Sequence, residues 1–455
     1  MTLTRLDPLT AFEGMKPQSS YSALTLHRKC PQAWLYRYGM RLEPVEDTPT
    51  PYLTIGTWWA LLQAVESMER GRAAESLVFV PRSLRDKHEG YDLDPSSAEV
   101  DEVLFAAQER WKRMTEDEQT EFIDKLGEPL PDRLDHMFQL WHEANPERFD
   151  RERPLGAEVF WKRALPRPEK DAAWSLLADP QKVPTMSLIG FIDELYYDRQ
   201  RKMVVIKDGK ARRDIQRGNG ATDDLMDSQL QLYAWGITPK LKREGIEPPR
   251  AVSFDRITSV APKEPQLTAT GTLSKSVTAY DAATYRRWAL TDTRPSADYM
   301  EEMGLSLDQQ MIVGQILDRP GRVWGKIGEF YASGAKKGQP KFGIYDLDEK
   351  VLEKLNSPGE QARWTSRSLD PINRRVVEAH LRAAVDTALD IYQTQQRAAA
   401  TGSAARNLDR RGCTWCDFAD ICRAQLIGGS AGEYDLELYG LRQKPVHGQK
   451  GRSTT

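Results

Sequence analysis

Four cysteines in 455 residues constrain this chain more than any other feature. Three stand together in RRGCTWCDFADICRA (410–424), as Cys413, Cys416 and Cys422, and the fourth, Cys30, lies in LTLHRKCPQAWLYRY near the other end. The Cys413-x2-Cys416 spacing puts two thiols in one tight turn, and Cys422 can return to the same point. Three ligands leave a tetrahedral or cubane site one short, and only Cys30 can supply the fourth. Buried free thiols are the bland alternative, and the use of every cysteine in the chain weighs against it. Zinc sites built on four cysteines typically use two close pairs, so a one-plus-three split is unusual for zinc. Iron–sulfur clusters accept scattered ligands. Ligation by all four would close a loop far beyond about 100 residues, which on the chain-entropy model stabilises by about 5 kcal/mol. Such a site is a staple between the chain's ends before it is a reaction centre.

In a reducing cytoplasm, clustered thiols more often hold a metal than form a disulfide. A cytoplasmic setting is expected: no apolar run nears the length needed to span a bilayer, and MTLTRLDPLTAFEG does not read as a signal peptide. The formal net charge of −3 excludes a global attraction to nucleic acid. Binding of that kind must come from a local patch, for which RQRKMVVIKDGKARRDIQR (199–217) is the candidate, with a merely solvated face as the alternative.

Along the chain, LEPVEDTPTPYL (42–53) reads as a connector, and 54–75 and 97–145 carry apolar residues at helical spacing. GAEVFWKRAL (156–165), SLIGFIDELYYD (187–198) and KMVVIKD (202–208) read as strands, DDLMDSQLQLYAWGI (223–237) as a helix, and PRAVSFDRITSV (249–260) as a further strand. Residues 374–400 form an amphipathic helix with Val377, Leu381, Ala384, Ala388 and Tyr392 on one side. Beyond about residue 430 a frayed tail is expected. The expected organisation is 1–53 with the first cysteine, a helical region 54–155, an α/β core 156–240, a mixed region 241–400, the cysteine segment 401–430 and the tail 431–455.

Metal-dependent phosphodiester hydrolysis needs hard oxygen ligands and a group that positions the attacking water. In GFIDEL, Asp193 is placed near the end of an apolar strand. In VVIKDGKAR, Asp208 and Lys210 flank Gly209, so alternation sends both side chains to one face. Asp208-Gly209 is also a common hairpin turn, which would make the carboxylate a turn residue. Gln229 and Tyr233 lie four apart on one helical face, a spacing that an ordinary half-buried surface also shows.

Taken in order, these pieces resemble the RecB-type exonucleases of the PD-(D/E)XK superfamily, in the iron–sulfur branch seen in AddB and the Cas-four-type CRISPR exonucleases. SYSALTLHRKCPQAWLYRY is similar to that branch's opening through Ser20, Ser22, Leu24, Cys30 and Pro31, with Trp34 as the aromatic. Gly190 and Asp193 fit the Gly-x-(Ile/Val)-Asp strand, Asp208 and Lys210 the Asp-x-Lys strand, Gln229 and Tyr233 the Gln-x3-Tyr motif, and the three late cysteines the closing cluster. The match covers about residues 20–60, 156–240 and 410–424.

The resemblance implies an α/β fold, a restriction-endonuclease-like core sheet flanked by helices, with large mostly helical insertions and an iron–sulfur staple joining the termini. It implies a 4Fe-4S cluster on Cys30, Cys413, Cys416 and Cys422, and Mg²⁺ or Mn²⁺ held by Asp193, Asp208 and the Gly209 carbonyl. Lys210 would position the water, Gln229, Tyr233, Arg212, Arg213 and Arg217 would contact DNA, and Glu158 is a weaker candidate. The activity implied is exonucleolytic, on single-stranded or end-containing DNA, in recombination, repair or phage replication within a bacterial or phage-infected cell.

No nucleotide-binding Gly-x4-Gly-Lys-(Ser/Thr) loop is present, GRVWGKIG (321–328) being too short, so any unwinding would need a separate helicase or recombination protein. One departure matters. Where the family carries Gly-x-x-x-His, this chain has Gly56-Thr57-Trp58-Trp59-Ala60, and Ala211 follows Lys210 in place of threonine. The rival expectations are therefore an impaired, DNA-binding nuclease fold, or a partner-binding protein using residues 80–150 and 262–375.

Overall fold

A computed structural model gives the fold, and it describes residues 18–44, 50–79, 93, 96–166, 185–213, 215, 228–263, 265, 280–290, 306–307, 311, 322–324, 344–346, 349–408, 410–414, 416–426 and 439–441. In chain order the first elements are β1 (Gln18–Ser20), α1 (Tyr21–Lys29), α2 (Pro31–Trp34), β2 (Leu42–Pro44) and α3 (Pro51–Ala73). Three helices follow, α4 (Val100–Arg113), α5 (Glu116–Leu126) and α6 (Leu130–Ala144), then the single turn α7 (Arg148–Arg151). The central elements are β3 (Glu152–Ala164), β4 (Ser187–Asp198), β5 (Met203–Arg212), α8 (Ser228–Arg243) and β6 (Ala251–Thr258). The rest are α9 (Ala282–Leu290), β7 (Arg322–Trp324), β8 (Ile344–Asp346), α10 (Glu349–Leu355), α11 (Pro358–Gln361), β9 (Thr365–Pro371), α12 (Arg374–Thr401), α13 (Arg410–Thr414), α14 (Ala419–Leu426) and β10 (Tyr439–Leu441).

One six-stranded mixed sheet organises the chain, in the order β1-β4-β5-β6-β9, with β3 on the remaining edge of β4. The pairs β3–β4, β4–β5 and β6–β9 are antiparallel, whereas β1–β4 and β5–β6 are parallel. A strand has two edges, and β3 occupies one edge of β4 from Ser187 to Asp198. The other edge is divided. β5 pairs with Glu194–Asp198, and β1 pairs with Ser187–Ile189. Between them, residues 190–193 of β4 face a fork where β5 has left to follow β6.

Helices cover both faces. One apolar core joins α1, α8 and α12 to Leu188, Ile192, Val204 and Ile206. The other joins α3, α4, α5 and α6 to Ala157 and Ile257. The α3 stripe starts from Pro51, where proline's fixed φ suits the first turn, and Thr50 caps it by accepting from Leu53 N. Trp161 wedges between β4 and α8, its ring 5.3 Å from that of Tyr233. This contact needs glycine on the helix: a Cβ at Gly236 would lie 2.2 Å from the Trp161 ring.

Two expectations are corrected and one alternative is excluded. The 42–53 connector is a strand at Leu42–Pro44 and a helix from Pro51, with residues 45–49 outside the described residues. The expected tail contains β10, whose Tyr439–Leu441 pair antiparallel with β2; backbone pairing of this kind is invisible to a local composition reading. Asp208-Gly209 is not a hairpin turn, because both residues lie inside β5 and pair in register with Phe254 and Asp255. Residues 223–227 of the expected helix also lie outside the described residues.

A Gly236→Ala protein is expected to lose about 1–3 kcal/mol, because the methyl overpacks against a rigid indole. Chemical denaturation of the two proteins measures the difference.

Candidate active site

The fork brings the carboxylates together. Pairing of β4 with β5 ends at Glu194↔Lys207, so the next residues along, Asp193 and Asp208, face each other where the strands part. Asp193 is thus mid-strand, where the sequence suggested a strand end. Its Oδ2 accepts a hydrogen bond from the Gly209 amide at 3.3 Å. Glu158 is brought to the same place: the β3–β4 ladder runs Ala157↔Glu194, then Val159↔Ile192, which sets Glu158 opposite Asp193. Glu158 has φ of 47°, a left-handed conformation that costs a non-glycine residue about 1–3 kcal/mol and is found mostly where function holds it.

Lys210 and Asp208 share a face, as alternation requires, and Lys210 Nζ donates to Asp208 Oδ1 at 2.9 Å. The same Nζ lies 2.9 Å from the buried Oδ2, so the ammonium sits against both oxygens of the carboxylate. Burial first, and Asp193 second, push the Asp208 carboxyl up to about 7. Two facing carboxylates, Asp208 buried and Asp193 half-buried at the cleft, have the character of a cation site. From α8, Gln229 Nε2 donates to the Tyr233 hydroxyl at 3.1 Å. Burial raises Tyr233 above its ordinary range, with Asp193, Asp208 and Glu158 adding to the effect, so the phenol stays protonated beside the acids.

Among the described residues, the basic side chains of 199–217 are divided between places. Lys207 is buried on the opposite face of the sheet, among Glu194, Asp255 and Arg148, while Arg199 and Arg201 sit at the β4–β5 turn. Arg212 and Arg213 are exposed, Arg213 lying 6.0 Å over the Tyr52 ring. Arg217 falls outside the described residues.

Sequence reasoning missed Gln63. On α3 it lies three residues after Ala60, hence on the same helical face, which was the available signal. Gln63 is buried, its Nε2 has no hydrogen-bond partner, and its Oε1 sits where a Cβ on Gly209 would be, 1.8 Å from that point. Glycine between Asp208 and Lys210 is what lets α3 approach. Ala60 itself is half-buried one turn earlier.

The four cysteines, 392 positions from first to last in sequence, border one cleft. Its volume is about 1510 Å³, and it is lined by Asp193, Asp208, Lys210, Gln229 and Tyr233 as well as by Cys30, Cys413, Cys416 and Cys422. Cys30, Cys416 and Cys422 pack on a small core of Ala33, Tyr36, Leu42, Phe418 and Ile421. Burial raises the Cys416 thiol, with Cys30 and Cys413 adding to it. Among the described residues, no three His, Cys, Asp or Glu side chains are arranged to hold a metal ion as they stand. His27, near Cys30, is a core residue held neutral: burial lowers it to about 4, and Nε2 meets Thr394 Oγ1 at 2.9 Å.

The profile of the PD-(D/E)XK nuclease superfamily matches residues 18–423. The chain belongs to the PD-(D/E)XK nuclease superfamily. Membership accounts for the mixed sheet flanked by helices and implies phosphodiester nuclease activity, for which PD-(D/E)XK enzymes usually use Mg²⁺ or Mn²⁺. The match runs across both the carboxylate fork and the cysteine segment. No curated protein sequence matches the chain. Among the described residues, no helix is long and apolar enough to cross a membrane.

The raised Asp208 pKa fixes a pH dependence for the metal-free protein. The folded state holds this proton more tightly than the unfolded chain, so the contribution to stability is present below about 4 and is lost as pH rises through about 7. Metal-free melting temperatures should fall over that window, and Asp208→Asn should remove this component of the fall.

Proposed function

We propose that the chain is a metal-dependent DNA exonuclease acting on single-stranded or end-containing DNA, in recombination, repair or phage replication. One observation carries the reading: Asp193 and the buried Asp208 meet at the fork, with the Lys210 ammonium 2.9 Å from the Asp208 carboxylate. That donor set fits Mg²⁺ or Mn²⁺, which would be held by Asp193, Asp208 and the Gly209 carbonyl, with Glu158 behind them. When bound, the ion would polarise the scissile phosphate and lower the barrier to attack by water.

The chain's own groups supply the rest. Lys210, 38% exposed at its side chain, reaches from the buried carboxylate into the cleft. There it orients the attacking water and offsets the negative charge that grows on the phosphate. Gln229 and Tyr233 present an amide and a protonated phenol to the substrate strand. Arg212 and Arg213 meet phosphates further along. A separate helicase or recombination protein would deliver single strands.

The thiols fit an iron–sulfur cluster by number, by the shared cleft that all four border, and by the soft donor chemistry of sulfur. Cys30, Cys413, Cys416 and Cys422 would hold a 4Fe-4S group as a structural staple, after side-chain adjustment. Ala60 favours a second reading, a catalytically impaired nuclease fold that binds DNA or a protein partner, because the family's imidazole is absent from α3.

Anaerobically purified protein should be brown, with iron and sulfide, and should release nucleotides from end-labelled DNA when Mg²⁺ or Mn²⁺ is added. Asp208→Asn should abolish release while leaving the colour. Ala60→His should cleave faster than the chain with Ala60, and its inactivity under the same conditions would favour the binder.

A further inference from the structure

Phe191 stands in the gap of β4 between the β1 and β5 pairings, two residues before Asp193. It borders the same cleft as Asp193, Asp208 and Lys210. Phe160, its register partner on β3, backs it with ring centroids 5.2 Å apart and planes tilted by 53°. Phe160 remains 36% exposed, so this aromatic pair borders solvent and is not sealed into either core. Cationic side chains stand on the cleft wall and on β3. Lys162, two residues beyond Phe160, is exposed, and so are Lys29 and Arg423 on the cleft wall.

We propose that Phe191, backed by Phe160, is a stacking platform for an unpaired base of the substrate strand, and that it makes the site selective for single-stranded polynucleotide over intact duplex. The inference rests on the nuclease reading above. Single strands are held by aromatic faces for the bases together with cations for the backbone, and every base has a face to offer. In an intact duplex the base faces are already stacked on their neighbours, so a flat ring at the fork can reach one only after a base is unstacked and extruded. Placing the ring two residues from Asp193 ties stacking to strand position: a base seated on Phe191 sets which phosphate lies over the carboxylates. The competing account is cross-strand packing, in which the Phe pair only steadies β3 against β4.

Leucine separates the two accounts, since it retains apolar bulk and removes the aromatic face. Binding of a fluorescent oligo(dT) and of a blunt duplex of equal length is measured without divalent ion, on the full chain and on Phe191→Leu and Phe191→Trp. Phe191→Leu should bind the single strand about tenfold more weakly. Its duplex binding and its melting temperature should be unchanged, and Phe191→Trp should restore single-strand affinity. A 2-aminopurine base next to the cleavage position should be quenched by the natural protein and not by Phe191→Leu. Unchanged single-strand binding in Phe191→Leu, or an equal loss for both forms of DNA, overturns the platform. Failure of the natural chain to release nucleotides with Mg²⁺ or Mn²⁺ would instead overturn the nuclease reading, so the two failures are read from different assays.

Discussion

A β-strand offers two hydrogen-bonding edges, and β4 gives one of them wholly to β3 while splitting the other between β5 and β1. The split leaves Gly190, Phe191, Ile192 and Asp193 beside an opening in the sheet. Asp208 reaches this opening because β5 turns from β4 to pair with β6 from Val205 to Arg212. Cys30 reaches its mouth because β1 runs straight into α1, whose C-terminal cap it forms. The meeting of acid pair, aromatic ring and thiols in one cleft is thus a consequence of strand order.

Holding two acids together in a dry fork is unfavourable in itself, so the strands that carry them must be fixed by something stronger. On the opposite face, Glu194 and Lys207, the chain neighbours of Asp193 and Asp208, form a buried ion pair in close contact. Around it Arg148 Nη2 meets Glu66 Oε2 at 2.6 Å, and Arg367 joins Glu152 at 2.6 Å and Asp255 at 2.8 Å. Burial would raise the Asp255 carboxyl, but Arg367, with Lys207, holds it down at about 2. Such a network adds little net stability over apolar packing, whereas losing one partner leaves a buried charge and costs about 3–5 kcal/mol. Its effect is on register. A slip of β5 by one residue against β4 would put Lys207 in the cleft and Asp208 in the core, leaving Glu194 buried without its ammonium, so the network excludes it.

The local parts of this arrangement were legible in the sequence. SLIGFIDELYYD coincides with β4, and the Asp208-x-Lys210 spacing implies the shared face that the 2.9 Å contact bears out. What the sequence could not disclose was set by distant partners. The run of basic residues hid Lys207, whose burial depends on Glu194 and Asp255 from other strands. Glu158 was named as a weaker candidate, but its backbone conformation could not be read, because a positive φ leaves no mark in residue type. Gln63 carries no motif of its own, and only its place on the face of Ala60 marks it. The Tyr439–Leu441 strand is too short to carry a pattern, and only its pairing with Leu42–Pro44 defines it.

Direct hydrogen bonds and an ion pair fasten the two ends of the chain together. Arg28 donates to Thr387 Oγ1 and to the Ala383 carbonyl, Gln32 receives the Ala404 amide at 2.7 Å, and Asn407 reaches the Lys29 carbonyl at 2.7 Å. Further along, Tyr36 donates to Gln425 and Arg37 pairs with Asp417. These contacts act only in the folded state, each adding about 0.5–1.5 kcal/mol net. A sulfur-ligated cross-link would act on the unfolded chain, by removing conformations open to two distant ends. The two are therefore complementary: hydrogen bonds choose the geometry in which the ends meet, and ligation would make leaving it costly. Because Cys30, Cys413, Cys416 and Cys422 border the cleft that holds Asp193 and Asp208, loosening that clasp would also open the wall past which a substrate strand must run.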